Sequence, residues 1–282
     1  MSWYKETNFI GCDMPFNSAD FVIAGIPYDG TSSFRPGSRF GPDAIRRKSY
    51  AIETFSPELK KDLADYKICD AGNLEFPFGN RTAVLSAIEA AAAEIIAAEK
   101  KSLYIGGEHL ITVPLVKKYH EKYPGLKVIH WDAHADMRDD YMGEKLSHAT
   151  VARRITEIVG DKSHYMFGIR SGEKQEYDYI KEKGIFCDPK FELWAETMKK
   201  LKKFPVYFTL DLDVFDPACI PGLGTPEAGG IFFHHFMDFI KEFQGMNIVG
   251  MDVVEMAPDY DPAGNSAVFA AKVARELILS AV

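Results

Sequence analysis

The sequence predicts an α/β fold of three layers, with helices on both faces of a mostly parallel sheet of about eight strands. Three observations carry this. Short apolar runs alternate with amphipathic stretches along the whole chain, the pattern of a parallel sheet wrapped by helices. Most runs are continuously apolar rather than alternating, as in strands buried on both faces. No internal repeat, low-complexity tract or Ser/Gly linker breaks the pattern, so residues 1–282 are expected to form one domain.

The runs expected as strands are Phe21–Ile26, Lys67–Ala71, Ser102–Gly106, Lys127–Trp131, Tyr165–Ile169, Gly184–Cys187, Val206–Leu210 and Asn247–Val254. Between them lie helical patterns. Thr82–Lys100 is the clearest, Ala-rich, with Val84, Ile88, Ala91, Ile95 and Ala98 on one stripe. The others are Ile111–His120, Ser147–Val159, Glu173–Lys183, Phe191–Lys203, His234–Phe243 and Ser266–Ala281. Sheets of this kind bind ligands beyond the carboxyl ends of their strands, so functional residues are expected just after the apolar runs.

Composition narrows the function. The chain has 33 Lys and Arg against 41 Asp and Glu, a formal net charge of −8. A dedicated nucleic-acid binder needs a basic face instead; an acidic chain is compatible with a small cationic ligand. No apolar run approaches the ~20 residues of a membrane span, and the first thirteen residues lack an apolar signal core. The expected setting is the cytoplasm. The four cysteines, Cys12, Cys69, Cys187 and Cys219, form no CxxC pair and read as buried free thiols of a reducing compartment.

Four strand ends carry acids and imidazoles. After Ser102–Ile105 comes Gly106-Gly107-Glu108-His109; after Lys127–His130 comes Trp131-Asp132-Ala133-His134-Ala135-Asp136. After Val206–Leu210 comes Asp211-Leu212-Asp213, and after Asn247–Met251 comes Asp252-Val253-Val254-Glu255. Residues at i and i+2 on a strand point to one face, so Asp211 with Asp213, and Asp132 with His134 and Asp136, are expected side by side. Carboxylates so crowded repel, and one would take up a proton. Two divalent cations balance four carboxylates in charge, and an oxygen-rich set with one or two imidazoles suits Mn²⁺.

These motifs carry a resemblance. Asp132-Ala-His-Ala-Asp136, Leu210-Asp-Leu-Asp-Val-Phe-Asp-Pro217 and Gly106-Gly-Glu-His109 resemble the signatures of the ureohydrolases, the arginase/agmatinase family. Gly25–Asp29, Arg35–Pro42 and Val249–Pro258 match the family's order, so the resemblance spans nearly the whole chain. It implies two Mn²⁺ per chain. By similarity His109, Asp132, Asp136 and Asp211 hold one ion, and Asp132, His134, Asp211 and Asp213 hold the other. The family's common Gly-Gly-Asp-His is Gly-Gly-Glu-His here; Glu108 is not a ligand in the family, so the ligand set is intact.

The resemblance also implies chemistry. Two ions about 3.5–4 Å apart lower the pKa of a shared water, which attacks the guanidinium carbon of a small cationic guanidino substrate. Glu255 lies where the family places its guanidinium-binding carboxylate, and a carboxylate accepts two guanidinium N–H groups side by side. His148, in Ser147-His-Ala-Thr150, resembles the family's proton shuttle, a role suited to an imidazole. Met137–Lys145 resembles the agmatine-hydrolysing branch and lacks the residues with which arginases bind an α-carboxylate. The reaction implied is agmatine to putrescine and urea. Glu173 is favoured over Asp139 and Asp140 to receive the distal amine. The competing substrates are guanidinobutyrate and arginine; a metal-dependent deacylase on a related fold and a catalytically dead binding protein are more distant readings. The family implies a homo-oligomer, trimer or hexamer. His120, His130, His164, His234 and His235 read as structural or solvated.

Overall fold

The computed structural model describes residues 2–77 and 79–282; Met1, the first of the thirteen residues read above, lies outside them. Eleven strands are described: β1 (Trp3–Tyr4), β2 (Phe21–Ile26), β3 (Phe55–Ser56), β4 (Lys61–Asp62), β5 (Ile68–Leu74), β6 (Lys101–Gly106), β7 (Lys127–Trp131), β8 (His164–Phe167), β9 (Phe186–Asp188), β10 (Pro205–Asp211) and β11 (Asn247–Val254). The helices are α1 (Gly41–Ser49), α2 (Arg81–Ala97), α3 (Thr112–Lys122), α4 (Val151–Val159), α5 (Lys174–Lys183), α6 (Trp194–Leu201), α7 (Phe233–Ile240) and α8 (Asn265–Ala281). Among the described residues no helix is long and apolar enough to cross a membrane.

The main sheet runs β1-β5-β2-β6-β11-β10-β7-β8-β9. Eight of its strands are parallel, and β1 pairs antiparallel with β5 through Trp3 opposite Leu74. The expected strand bounds hold to the residue for β2, β7 and β11, whose continuous apolar runs are buried along almost their whole length. The sequence reading missed β1, whose two residues become a strand only by pairing with β5, and α1. The latter opens on Gly41-Pro42 and ends in Arg46-Arg47-Lys48. Pro at the first turn and basic residues at the last favour a helix, but the apolar stripe is short. Expected helix 191–203 is shorter, Trp194–Leu201.

Two apolar layers sandwich the sheet. On one side Trp131 packs edge-on against Trp194 (5.0 Å between ring centres) and Phe208 (5.3 Å). On the other, Ile88, Ile95, Tyr119 and Tyr207 pack without exposure. Each such side chain contributes ~1.5–3 kcal/mol by burial. Trp131 immediately precedes Asp132, so this aromatic anchor fixes the base of a functional loop; Trp131→Ala would cost ~3–5 kcal/mol. The C-terminal carbonyls of α8 are held by Lys61, which donates to Leu279 (2.9 Å) and Val282 (2.7 Å), and by Lys101. All four cysteines are free; Cys12 and Cys69 are buried, whereas Cys187 and Cys219 are half-buried rather than core.

Candidate active site

Adjacent strands β6, β11, β10 and β7 deliver their carboxyl ends to one edge, and the four acid-bearing segments meet there. The β6 end passes under the Tyr28 backbone. A Cβ at Gly107 would sit 1.9 Å from the Tyr28 carbonyl oxygen, so only glycine fits. The crossing is sealed by Gly107 N–H to Ile26 (2.9 Å) and Glu108 N–H to Tyr28 (2.7 Å), and it places His109 at the cavity floor.

The carboxylates are aimed by backbone amides. Asp132 Oδ1 accepts His134 N–H (2.6 Å), Asp211 Oδ1 accepts Asp213 N–H (2.9 Å) and Asp213 Oδ1 accepts Ala133 N–H (3.0 Å). Each acid thereby turns its other oxygen inward. Asp211 ends β10, but Asp213 lies in the following 3-10 turn (Leu212–Val214), and Asp132 to Asp136 lie beyond β7. The i, i+2 strand argument is therefore corrected: turns that carboxylates cap, not strand faces, bring these groups together. Asp136 adopts φ +46° and Glu255 φ +68°, left-handed backbone that a non-glycine residue adopts at a cost, as is common at functional sites.

His109 Nδ1 lies 3.1 Å from Asp132 Oδ2 and 3.2 Å from Asp211 Oδ2. His134 Nδ1 lies 2.8 Å from Asp213 Oδ2 and 3.7 Å from Asp132 Oδ1. Asp136 lines the same cavity. All six expected ligands converge, in two overlapping groups that share Asp132. Burial pushes the Asp211 acid well up, as do the charges of Asp213 and Asp132. Burial does the same to Asp136, beside Asp132. Asp132 is also buried, but the neighbouring rings of His109, His130 and His134 hold its acid well below the usual range.

The fit to a metal is tested by His109. Its Nε2 lies 2.9 Å from Thr209 Oγ, which donates to Asp252 Oδ1 (2.6 Å); Tyr207 (2.7 Å) and Thr112 (3.0 Å) donate to Asp252 Oδ2. Thr209 has one hydrogen. It goes to Asp252, so Thr209 Oγ accepts the His109 Nε2–H. Nδ1 is buried and has no hydrogen-bond partner, although two carboxylate oxygens flank it. An orphaned imidazole nitrogen facing inward-turned carboxylates is the donor set of a hard or borderline divalent cation. The residues fit the group.

Glu255 Oε1 accepts His109 N–H (2.7 Å) at the wall of the cavity, about 340 Å³ in volume. Burial and then the neighbouring Glu108 push its acid up to about 8. Glu108 itself is buried, and its acid is pushed up to about 7. It accepts Thr31 N–H (2.8 Å), Thr31 Oγ–H (2.7 Å) and Ser32 Oγ–H (3.3 Å). Thr31 Oγ in turn accepts His148 N–H (3.0 Å). Glu in this motif thus ties the 31–32 loop to the segment that carries His148.

At the mouth, His148 Nε2 is 3.1 Å from Ser33 Oγ, and burial lowers the pKa of its ring. Glu173 caps α5 and lies 3.2 Å from Arg138 Nη2; Glu176 is 3.6 Å from Arg138 Nε. The expectation that Glu173 receives the distal amine did not include Arg138, which pairs with it. Asp139 faces away, 3.0 Å from Arg154, and Asp140 lines an adjoining cavity. Behind the site, His130 and His164, read as ordinary core residues, form a chain to Asp132. No sequence signal marks it, because the two residues meet across β7 and β8. His234 and His235 are exposed near the start of α7, and His235 Nδ1 accepts Phe232 N–H (3.1 Å).

The profile of the arginase family matches residues 19–280. The chain belongs to the arginase family. It is a ureohydrolase-type enzyme with the candidate metal-binding groups of a binuclear-metal family. The agmatinase of Bacillus subtilis is 43% identical over 99% of this chain and 98% of its own length. A solved Clostridium difficile chain is 42% identical with TM-score 0.92, covering 95% of this chain and 98% of that one. The proclavaminate amidino hydrolase of Streptomyces clavuligerus is 29% identical with TM-score 0.89, covering 99% and 98%.

Proposed function

We propose that this chain is an agmatinase-type ureohydrolase that cleaves agmatine to putrescine and urea at a binuclear manganese centre. The observation that carries the reading is the convergence of six ligand-type side chains beside one buried carboxylate, Glu255, on the wall of a single cavity. His109, Asp132, Asp136 and Asp211 would hold one ion, and Asp132, His134, Asp211 and Asp213 the other. Four strand-end motifs and the Met137–Lys145 segment of this chain support the reading, and so does the name shared by the first four relatives, agmatinase, at 41–43% identity. Bound there, divalent cations supply Lewis acidity and water acidic enough to ionise near neutral pH.

The chain's own residues do the rest. Glu255 is locked by the His109 amide, which leaves Oε2 free to take guanidinium N–H groups. A cation beside Glu255 reverses the upward push that burial and Glu108 exert on its acid, so substrate binds the carboxylate form. The His148 ring, kept neutral by burial, is placed to accept a proton at Nε2 and return it to the leaving amine. The distal ammonium must compete with Arg138 for Glu173. We place residues 1–282 in one catalytic domain, acting in the cytoplasm as a homo-oligomer, trimer or hexamer.

Arg138 favours a second reading. A guanidinium at the mouth suits a carboxylate at the far end of the substrate, as in guanidinobutyrate. Urea release from agmatine, guanidinobutyrate and arginine, measured with Mn²⁺ present, separates the readings. The highest kcat/KM is expected for agmatine. A higher value for guanidinobutyrate or arginine overturns the substrate and leaves the ureohydrolase chemistry; no urea from any of them overturns both.

A further inference from the structure

A buried polar chain runs from Asp132 away from the cavity. His130 Nε2 is 3.1 Å from Asp132 Oδ2, and His130 Nδ1 is 3.1 Å from His164 Nε2. His164 Nδ1 is 2.8 Å from Thr156 Oγ on α4. None of His130, His164 or Thr156 is appreciably exposed, and the two rings stack with centres 5.2 Å apart.

The order of hydrogens along this chain follows from its inner end. A carboxylate only accepts, and a neutral imidazole carries one N–H. With Asp132 ionised, the His130 hydrogen sits on Nε2. His130 Nδ1 is then a bare acceptor and must take the His164 Nε2–H. His164 Nδ1 is bare in turn and must take the Thr156 hydroxyl hydrogen. Thr156 Oγ also donates to the Ala152 carbonyl (2.8 Å), so its one hydrogen is shared in a three-centre bond between that oxygen, already the i−4 acceptor of the helix, and His164 Nδ1. The reverse order would leave a bare His130 Nε2 facing a carboxylate oxygen at 3.1 Å, lone pair against lone pair.

We propose that His164 and Thr156 are positioning residues for the metal centre: they fix the ring orientation and tautomer of His130, whose Nε2–H holds the inner oxygen of Asp132 in place for the ions. This rests on the metal reading above. Asp132 is the acid shared by both groups of ligands, and His134 N–H already holds its Oδ1. The His130 bond holds its Oδ2, so both oxygens are aimed. Without His164 or Thr156 as partner, His130 can take its hydrogen on Nδ1 and turn a lone pair toward Asp132. Partners of this kind typically account for 10–100-fold in metal affinity.

The test is Mn²⁺ binding by the full chain, stripped of metal and titrated, with free Mn²⁺ counted by electron paramagnetic resonance. Thr156→Val is expected to weaken the more loosely held ion about tenfold, and His164→Leu about 10–100-fold. Thr156→Ser keeps the hydroxyl and should bind within about twofold of the unsubstituted chain, a rescue that packing alone would not produce. Excess Mn²⁺ should restore kcat in Thr156→Val with KM for the guanidine unchanged. Thr156→Val that binds Mn²⁺ like Thr156→Ser overturns the proposal. So does His164→Leu with undiminished affinity; if that variant fails to fold, the Val and Ser pair at 156 decides. An unsubstituted chain that binds no Mn²⁺ overturns the metal reading, and this inference with it.

Discussion

On the floor of the cavity, Asp132, Asp211 and Asp213 each give one oxygen to a backbone amide at 2.6–3.0 Å and sit almost fully buried. At the mouth, Arg138 and Glu173 meet at 3.2 Å with side chains 30% and 57% exposed. A backbone-anchored acid cannot swing away, whereas an exposed ion pair is worth ~0–1 kcal/mol and exchanges partners readily. The floor therefore sets which bond breaks, and the mouth sets which substrate arrives. This division matches a family in which the B. subtilis agmatinase and the S. clavuligerus proclavaminate amidino hydrolase, differently named, both resemble this chain over nearly its full length.

The comparison breaks most visibly at the floor. Asp211→Ala should empty or disorder both ion sites and lower kcat/KM by about 10³-fold or more, whereas Asp213→Ala should mainly weaken one site; elemental analysis with urea assays checks both, and equal, full occupancy in the two variants contradicts the assignment. The same floor has a pH signature. Burial opposes the charged form of His109 and His134, but Asp132, Asp211 and Asp213 outweigh it and raise both rings. Metal-free protein thus holds protons there at neutral pH, which the ions must displace. Adding Mn²⁺ in weak buffer should release protons, and affinity should fall as pH falls; a pH-independent affinity between pH 6 and 8 would refute this.

Next comes the wall. Glu255→Gln keeps the size but removes the charge, and should cut kcat/KM about 10²-fold or more with Mn²⁺ content unchanged, since charged hydrogen bonds contribute ~1.5–3 kcal/mol each. Nearer the mouth, His148→Asn should lower kcat about 10²-fold, more than it alters KM, with partial recovery on adding imidazole. The smallest effect belongs to the rim. Arg138→Met frees Glu173 and should lower KM for agmatine by about fivefold or less, with kcat within about twofold. Steady-state kinetics on agmatine and guanidinobutyrate would show opposite KM shifts; parallel shifts would mean that Arg138 does not sort the far end of the substrate.

The strands legible in the sequence were those whose burial is written in their own residues: Phe21–Ile26, Lys127–Trp131 and Asn247–Val254 are apolar along almost their whole length and buried on both faces. Strand β1 was not, since Trp3 and Tyr4 are extended only because Leu74 and Asn73 pair with them. The inward acids were legible because charge repulsion demands a partner wherever carboxylates cluster at strand ends. Their true geometry was not: Asp213 reaches the site through a turn capped by Asp211, which strand periodicity does not describe. His130 looked like an ordinary member of an apolar run. Its bond to His164 depends on the register of β7 against β8, where His130 sits opposite Met166 and Val128 opposite His164. Arg138 is not marked in the sequence because its pairing with Glu173 and Glu176 joins a loop to the start of α5, a contact between separate segments.

Strand β11 lies between β6 and β10, yet it is the last of the described strands in chain order. Without Asn247–Val254 the strand order falls into two half-sheets, each with an open edge. His109 stands at the end of one half, while Asp132 and Asp211 stand on the other. Neither half owns the complete set of proposed ligands, so a sheet lacking β11 would not hold the proposed ions in this arrangement. Those unpaired edges are also sites for stray strand pairing. Assembly of the proposed centre thereby waits on β11, and the same strand that closes the sheet brings Glu255 with it.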